Sequence, residues 1–172
     1  QPLCYPLFVR VLGIDPGSNF LGLGCVEAKG NTFTWIGHRL LKVNPGGEQT
    51  LAARLKIIHE GLLEALALWL PDAVAVEEVF FAKNAQSALK LGQARGCALT
   101  AAAMKQLPIF EYSATLVKQT VTGSGRAEKE QVQRMVKAIL GNSLVFTRED
   151  ASDALAIAIC HMQHRHRSDL LG

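Results

Sequence analysis

Residues 73 to 79 read Ala-Val-Ala-Val-Glu-Glu-Val, a nearly continuous apolar run broken by two acids. A short run without polar alternation is a strand covered on both faces, so the sheet that holds it needs layers on either side. An unpaired buried carboxylate is very costly, and Glu77 in such a strand requires a cation or an opening to solvent. Glu78 points to the opposite face by the two-residue period and reads as the weaker candidate, with plain solvation as its simple account.

The flanking patterns set the class. Phe8 to Ile14 is a β-rich run that ends in Asp15-Pro16-Gly17-Ser18, where Pro and Gly force a turn. Phe20 to Val26 and Thr32 to Val43 read as the next two strands, joined through Lys29-Gly30-Asn31 into an antiparallel meander. Leu51, Leu55, Ile58, Leu62, Leu66 and Trp69 recur at helical spacing within Gln49 to Leu70, and Pro71 stops that helix. After the buried strand come a helix over Asn84 to Lys105, a strand over Ile109 to Tyr112, and a short helix through Gln119 that Ser113 caps. Helices over Lys129 to Leu140 and Ala151 to His161 close the chain. Three strands, then alternating helix and strand, then helices predict an α/β mixed sheet with helices on its faces. No GxGxxG follows the first strand, so the unit is not a dinucleotide fold.

With 172 residues, 49% of them hydrophobic and 19% charged, the chain makes one domain with a full core. A net charge of +3 permits a nucleic-acid partner without demanding one. Cys4, Cys25, Cys97 and Cys160 form no CxxC pair and read as reduced thiols of a cytoplasmic protein. No apolar run reaches the roughly 18 residues of a membrane span, and the first six residues lack the marks of a signal peptide.

Asp15 closes an apolar strand; its plain reading is a turn-forming Asp before Pro. Asp150 and Asp153 stand three apart and share a helix face. Their plain reading is a first helical turn decorated with acids, which the macrodipole favours. Taken together, a strand-end Asp, a strand Glu and a helix-start Asp pair can meet at one edge of a mixed sheet. Carboxylate oxygens suit hard cations such as Mg²⁺ or Mn²⁺, and two metals about 4 Å apart activate water and stabilise the leaving oxygen in phosphodiester cleavage.

Basic residues stand beside these acids. Val79 to Gln106 holds Lys83, Lys90, Arg95 and Lys105 and no acid. A solvated helix face accounts for such a run, and its place next to Glu77 favours a phosphate track. Lys83 and Asn84 follow Phe80-Phe81 at a spacing that lets them hold a backbone next to a stacked base. Thr122-Gly123-Ser124-Gly125-Arg126 reads as a mobile basic loop entering the Lys129 helix, either a plain linker or a grip on a DNA backbone. Ala88, Gly92 and Gly96 form a small-residue stripe that either packs on the chain's own sheet or meets a second copy. His161, His164 and His166, interleaved with Arg165 and Arg167, read as a frayed basic tail rather than a ligand set.

The motifs then carry a resemblance. Leu12-Gly13-Ile14-Asp15-Pro16-Gly17-Ser18, Val76-Glu77-Glu78-Val79-Phe80, Ala82-Lys83-Asn84-Ala85 and Ser87 to Gly96 occur in that order. Val117 to Val121, Ala127-Glu128-Lys129 and Asp150 to Ala156 follow. From about Val9 to about His161 the chain resembles the RuvC family of Holliday junction resolvases, whose fold is ribonuclease H-like, a five-stranded mixed sheet flanked by helices. Asp-Pro-Gly alone is a weak signal; the Lys83 to Gly96 block is specific. Glu78 stands where a relative can carry Gln.

The resemblance implies a set of roles. Asp15, Glu77, Asp150 and Asp153 become the acidic metal-binding tetrad, with two Mg²⁺ per site and Mn²⁺ as a substitute. Lys118 and Lys129 become lysines near the scissile phosphate, and Phe80 an aromatic that stacks on an unpaired base. Phe80, Lys83, Asn84, Lys90 and Arg126 become DNA contacts. The implied activity is a Mg²⁺-dependent endonuclease that acts as a homodimer on four-way DNA junctions, alongside the RuvA-RuvB branch-migration complex. Residues 1–8 are then an N-terminal extension, 9–166 one nuclease domain and 167–172 a C-terminal tail. Three other readings fare worse. A non-catalytic junction binder predicts damaged acids, and all four are present. A sugar-kinase or actin-like ATPase needs a second lobe. An RNA-directed relative does not account for the Lys83 to Gly96 block.

Overall fold

The computed structural model describes residues 8–17, 19–44, 50–78, 85–146 and 149–171; for 149, 150 and 166–171 only the backbone is described. Strands β1 (Val9–Asp15), β2 (Phe20–Lys29) and β3 (Thr32–Lys42) form the expected meander, with Gly30 at φ +56° in the turn between β2 and β3. Helix α1 (Leu51–Trp69) follows, then β4 (Ala73–Glu77), α2 (Ala85–Met104), β5 (Ile109–Tyr112), α3 (Ala114–Thr122), α4 (Lys129–Leu140) and α5 (Glu149–Leu171). The sheet order is β3-β2-β1-β4-β5. β1 pairs antiparallel with β2 and parallel with β4, and β4 pairs parallel with β5. This is the mixed five-stranded sheet that the sequence predicts.

Side-chain alternation divides the core into two layers. Leu12 and Ile14 of β1 and Val74 and Val76 of β4 pack against Ile58 and Leu62 of α1 and Ala94 and Ala98 of α2. Val11, Ala73 and Ala75 point the other way, onto Val117 and Val121 of α3, Val132 and Val136 of α4, and Leu155 and Ile159 of α5. Hence β4 is buried on both faces, as its apolar run requires. Full burial of Val74 or Val76 contributes roughly 1.5–3 kcal/mol.

α5 is the central support of the second layer. Ala154 through Cys160 are all fully buried, so this helix is apolar all round over that stretch. It lies so close to the sheet that a methyl group on Gly13 would overlap the Ala154 carbonyl oxygen. A methyl on Gly24 would come within 2.7 Å of the Leu155 side chain. Two glycines in neighbouring strands thus set the depth of α5, and with it the position of the acids in its first turns.

Three expectations need correction. The last helix does not end at His161 but continues to Leu171. His161 is not in a frayed tail: it is 3% exposed, packs against Phe110 with the rings tilted by 36°, and bonds the Tyr112 hydroxyl through Nδ1 at 2.8 Å. The physical reason is that β5 supplies two aromatic side chains under α5, which give an imidazole both an apolar wall and a polar partner. The loop before α4 is not an open linker but is bridged by its own hydrogen bonds. Thr122 Oγ1 donates to the Lys118 carbonyl at 2.8 Å and accepts from the Ser124 N–H at 3.2 Å, and Ser124 Oγ accepts from the Arg126 N–H.

Candidate active site

Asp15 and Glu77 are the last residues of two adjacent parallel strands. Ile14 pairs with Val76, and each acid stands one position further along its own strand. By the two-residue period Asp15 shares a face with Val11 and Gly13, and Glu77 with Ala73 and Ala75. That is the face α3, α4 and α5 cover. Parallel pairing therefore brings two carboxylates, far apart in the chain, to one rim on one side of the sheet.

Asp153 reaches that rim from α5, one residue before Ala154, whose carbonyl meets Gly13. Its carboxylate is 22% exposed and stands 3.8 Å from Lys129 Nζ. Lys129 is the first residue of α4, where a cation opposes the helix dipole. Helix stability does not explain a lysine there; the acid facing it does. Lys118 lies half-buried on α3 beside Val117, which anchors that helix in the core. Ser113 caps α3 by accepting from the Leu116 N–H at 3.3 Å, and Gly123 closes it at φ +83°.

Glu77 registers all these neighbours. Burial pushes its carboxyl up from the ordinary range and Asp153 pushes it further, while Lys118 and Lys129 pull it back. A half-buried acid raised by a second acid and relieved by two lysines is a site poised for positive charge. Every donor is a carboxylate oxygen, the type that hard divalent cations take. Among the described residues, no three metal-ligating side chains form a group around one ion. The fourth acid, Asp150, belongs to α5 by its backbone, and its side chain lies outside the described residues.

The other sequence candidates divide. Arg126 is exposed in the tied loop, three residues before Lys129, and Lys90 is exposed near the start of α2. Phe80, Lys83 and Asn84 lie outside the described residues. Arg95 leaves the basic track: its side chain is 20% exposed and pairs with Glu111. The small-residue stripe does not pack on the chain's own sheet. Among the described residues nothing lies within 4 Å of the positions a methyl group would take on Gly92 and Gly96, and Leu89 beside them is exposed. Sequence reasoning missed the Arg95–Glu111 pair and the Tyr112–His161 bond. Both join segments distant in the chain, and no local pattern marks them.

Comparison with known proteins fits this geometry. The family pattern described as Crossover junction endodeoxyribonuclease RuvC matches residues 11–161. A protein of that name from Geotalea uraniireducens is 48% identical over 168 residues, which cover 95% of this chain and 94% of the relative. The structure "T. thermophilus RuvC in complex with Holliday junction substrate" superposes with a TM-score of 0.86 at 38% identity, covering 93% of this chain and 96% of the other. The yeast mitochondrial Holliday junction resolvase Ydc2 shares the fold, with a TM-score of 0.70 at 14% identity over 95% of this chain and 82% of its own. With the family pattern matched over most of its length and a relative at this identity covering it nearly end to end, the chain belongs to the RuvC family of crossover junction endodeoxyribonucleases.

Proposed function

We infer that this protein is a crossover junction endodeoxyribonuclease that resolves four-way DNA junctions in recombination and repair. It does so by hydrolysing phosphodiester bonds in two strands of like polarity. The observation that carries the reading is that Asp15 and Glu77 end adjacent parallel strands on one face of the sheet, with Asp153, Lys118 and Lys129 all acting on the charge of Glu77.

The all-oxygen donor set and the raised Glu77 carboxyl fit a divalent cation. Asp15, Glu77, Asp150 and Asp153 would hold it, with Mg²⁺ as the ion, Mn²⁺ as a substitute and two ions per site. When bound, such ions supply charge neutralisation at the phosphate and a more acidic water. The chain's own residues do the rest. The carboxylates accept the proton of the attacking water and orient it in line with the scissile bond. Lys118 and Lys129 place positive charge where the pentacovalent phosphate gathers negative charge. Cleavage leaves a 5′-phosphate and a 3′-hydroxyl.

Substrate contacts extend the site. Arg126, Lys90 and Lys83 neutralise backbone phosphates, Asn84 hydrogen-bonds the backbone, and Phe80 stacks on an unpaired base. A junction has two-fold symmetry, so a C₂ homodimer delivers two symmetric cuts. The outward Gly92 and Gly96 of α2 support a helix-to-helix contact between copies. The RuvA-RuvB complex is the branch-migration partner in this reading. Among the described residues no helix is long and apolar enough to cross a membrane. A junction substrate places the work where chromosomal DNA lies, the cytoplasm in a bacterium.

The test is incubation of the chain with a synthetic four-way junction and with linear duplex, each with Mg²⁺ and with EDTA. Paired symmetric nicks confined to the junction, and abolished by EDTA, are expected. Equal cutting of linear duplex, or no cutting of junctions with Mg²⁺ or Mn²⁺, would sink the reading.

A further inference from the structure

The end of β4 places the Glu77 carboxylate, and three elements hold its backbone. β1 lies on one side. On the other, the Glu78 N–H donates to the Tyr112 carbonyl of β5 at 2.8 Å. The third element is α2. Its Arg95 donates from Nε to the Glu77 carbonyl at 3.4 Å and pairs through Nη2 with the Glu111 carboxylate of β5. One planar guanidinium thus spans the ends of two strands. A guanidinium serves two acceptors at once in fixed geometry, whereas an ammonium acts as a point charge. Its neighbours Ala94 and Ala98 are buried in the core, which fixes the arginine's base on a rigid helix.

We propose that Arg95 is a positioning residue for Glu77, clamping the end of β4 to α2 and β5 so that the carboxylate keeps its place against Asp153. The proposal rests on the reading of Glu77 as a catalytic carboxylate. An ion pair at a partly exposed rim stabilises a fold by about 1 kcal/mol at most, so stability alone gives little reason for this arrangement. Misplacement of a reacting group by about 1 Å costs on the order of 100-fold in rate, which does.

The experiment compares the wild-type chain, Arg95→Gln and Arg95→Lys. It reads single-turnover cleavage of a four-way junction at saturating protein, junction Kd in EDTA, and Tm. Arg95→Gln is expected to slow cleavage by roughly tenfold or more. Its Kd stays within about twofold and its Tm within about 4 °C of wild type. Arg95→Lys keeps the charge facing Glu111 but cannot serve both acceptors, so its Tm matches wild type while cleavage stays slow. Wild-type cleavage by Arg95→Lys would show that charge alone suffices and overturn the proposal. So would a loss of binding and Tm by Arg95→Gln in step with its loss of cleavage. A wild-type chain inert on junctions would instead overturn the nuclease reading, and this role with it.

Discussion

Lys129 Nζ and Asp153 Oδ2 face each other at 3.8 Å across the gap between α4 and α5, with the lysine 57% exposed and the acid 22%. At that distance and exposure the pair stabilises the fold by well under about 1 kcal/mol. A cation at the first position of α4 also opposes the helix dipole. Lys129→Gln therefore leaves Tm within a few degrees of wild type or slightly above it. Junction cleavage falls by about 100- to 1,000-fold, the range for losing one preorganised donor aimed at a transition state. Calorimetry and single-turnover cleavage on the same preparation separate the two effects.

The fold disfavours the charge of Glu77, because burial and Asp153 both oppose its ionisation. Glu77→Gln removes that cost, and the amide is nearly isosteric. Tm at pH 7.5 is expected to equal or exceed that of wild type, while cleavage drops by on the order of 1,000-fold and junction affinity in EDTA holds. Asp15→Asn gives the same split between cleavage and binding. A fall in binding parallel to the fall in cleavage would assign these acids to the architecture instead.

How much of this site the sequence discloses depends on how local each signal is. Asp15 and Glu77 are legible because both end apolar strands, and the two-residue period puts each on a definite face. Asp153 is legible because it sits three residues from Asp150 at the head of an apolar helix. The face of the Gly92 and Gly96 stripe is not, since a stripe of small residues reads the same whether it meets the sheet or solvent. Burial of Ala94, Ala98, Ala101 and Ala102 decides it. The fate of His161 is equally hidden: the apolar pattern of α5 fades into His and Arg just where Phe110 and Tyr112 take over as packing partners.

In the metal-free chain the Glu77 carboxyl keeps its proton to higher pH than an ordinary carboxylate, because burial and Asp153 both raise its pKa. Lys118 works against that rise. In Lys118→Gln the metal-free carboxyl therefore titrates at still higher pH. Carboxyl chemical shifts followed by NMR in EDTA for both proteins give the comparison, and an unmoved titration would detach Lys118 from Glu77.

Gly13→Ala tests whether the depth of α5 sets the site. The added methyl would overlap the Ala154 carbonyl, which belongs to helix backbone and cannot rotate away. The helix must lift, at a cost of about 1–3 kcal/mol or more, and Asp153 lifts with it. A clear drop in Tm together with a loss of cleavage larger than the unfolded fraction explains is the expected result. Gly30→Ala, in the turn at the far end of the hairpin with nothing among the described residues within 4 Å of the added methyl, lowers Tm through its positive φ and spares the turnover of the folded fraction.

The Tyr112–His161 bond makes stability depend on pH in a window set by the histidine. Burial is the main cause that drops the His161 pKa to about 4, with Arg165 and His164 adding to it. Burial also lifts the Tyr112 hydroxyl to about 12. Both shifts keep the pair neutral. In the unfolded chain the imidazole takes up its proton near pH 6.5. Above that pH the group is neutral in both states, and its contribution to stability is fully present. As pH falls from about 6.5 toward about 4, the unfolded state binds a proton that the folded state refuses, so stability is lost through that interval. His161→Asn keeps a polar partner for the tyrosine but does not titrate. Its Tm is lower than wild type at pH 7.5, and the gap narrows steadily as pH falls to 4.5. Calorimetric scans of both proteins across that range check it; a gap that stays constant would mean the histidine titrates alike in the folded and unfolded chain.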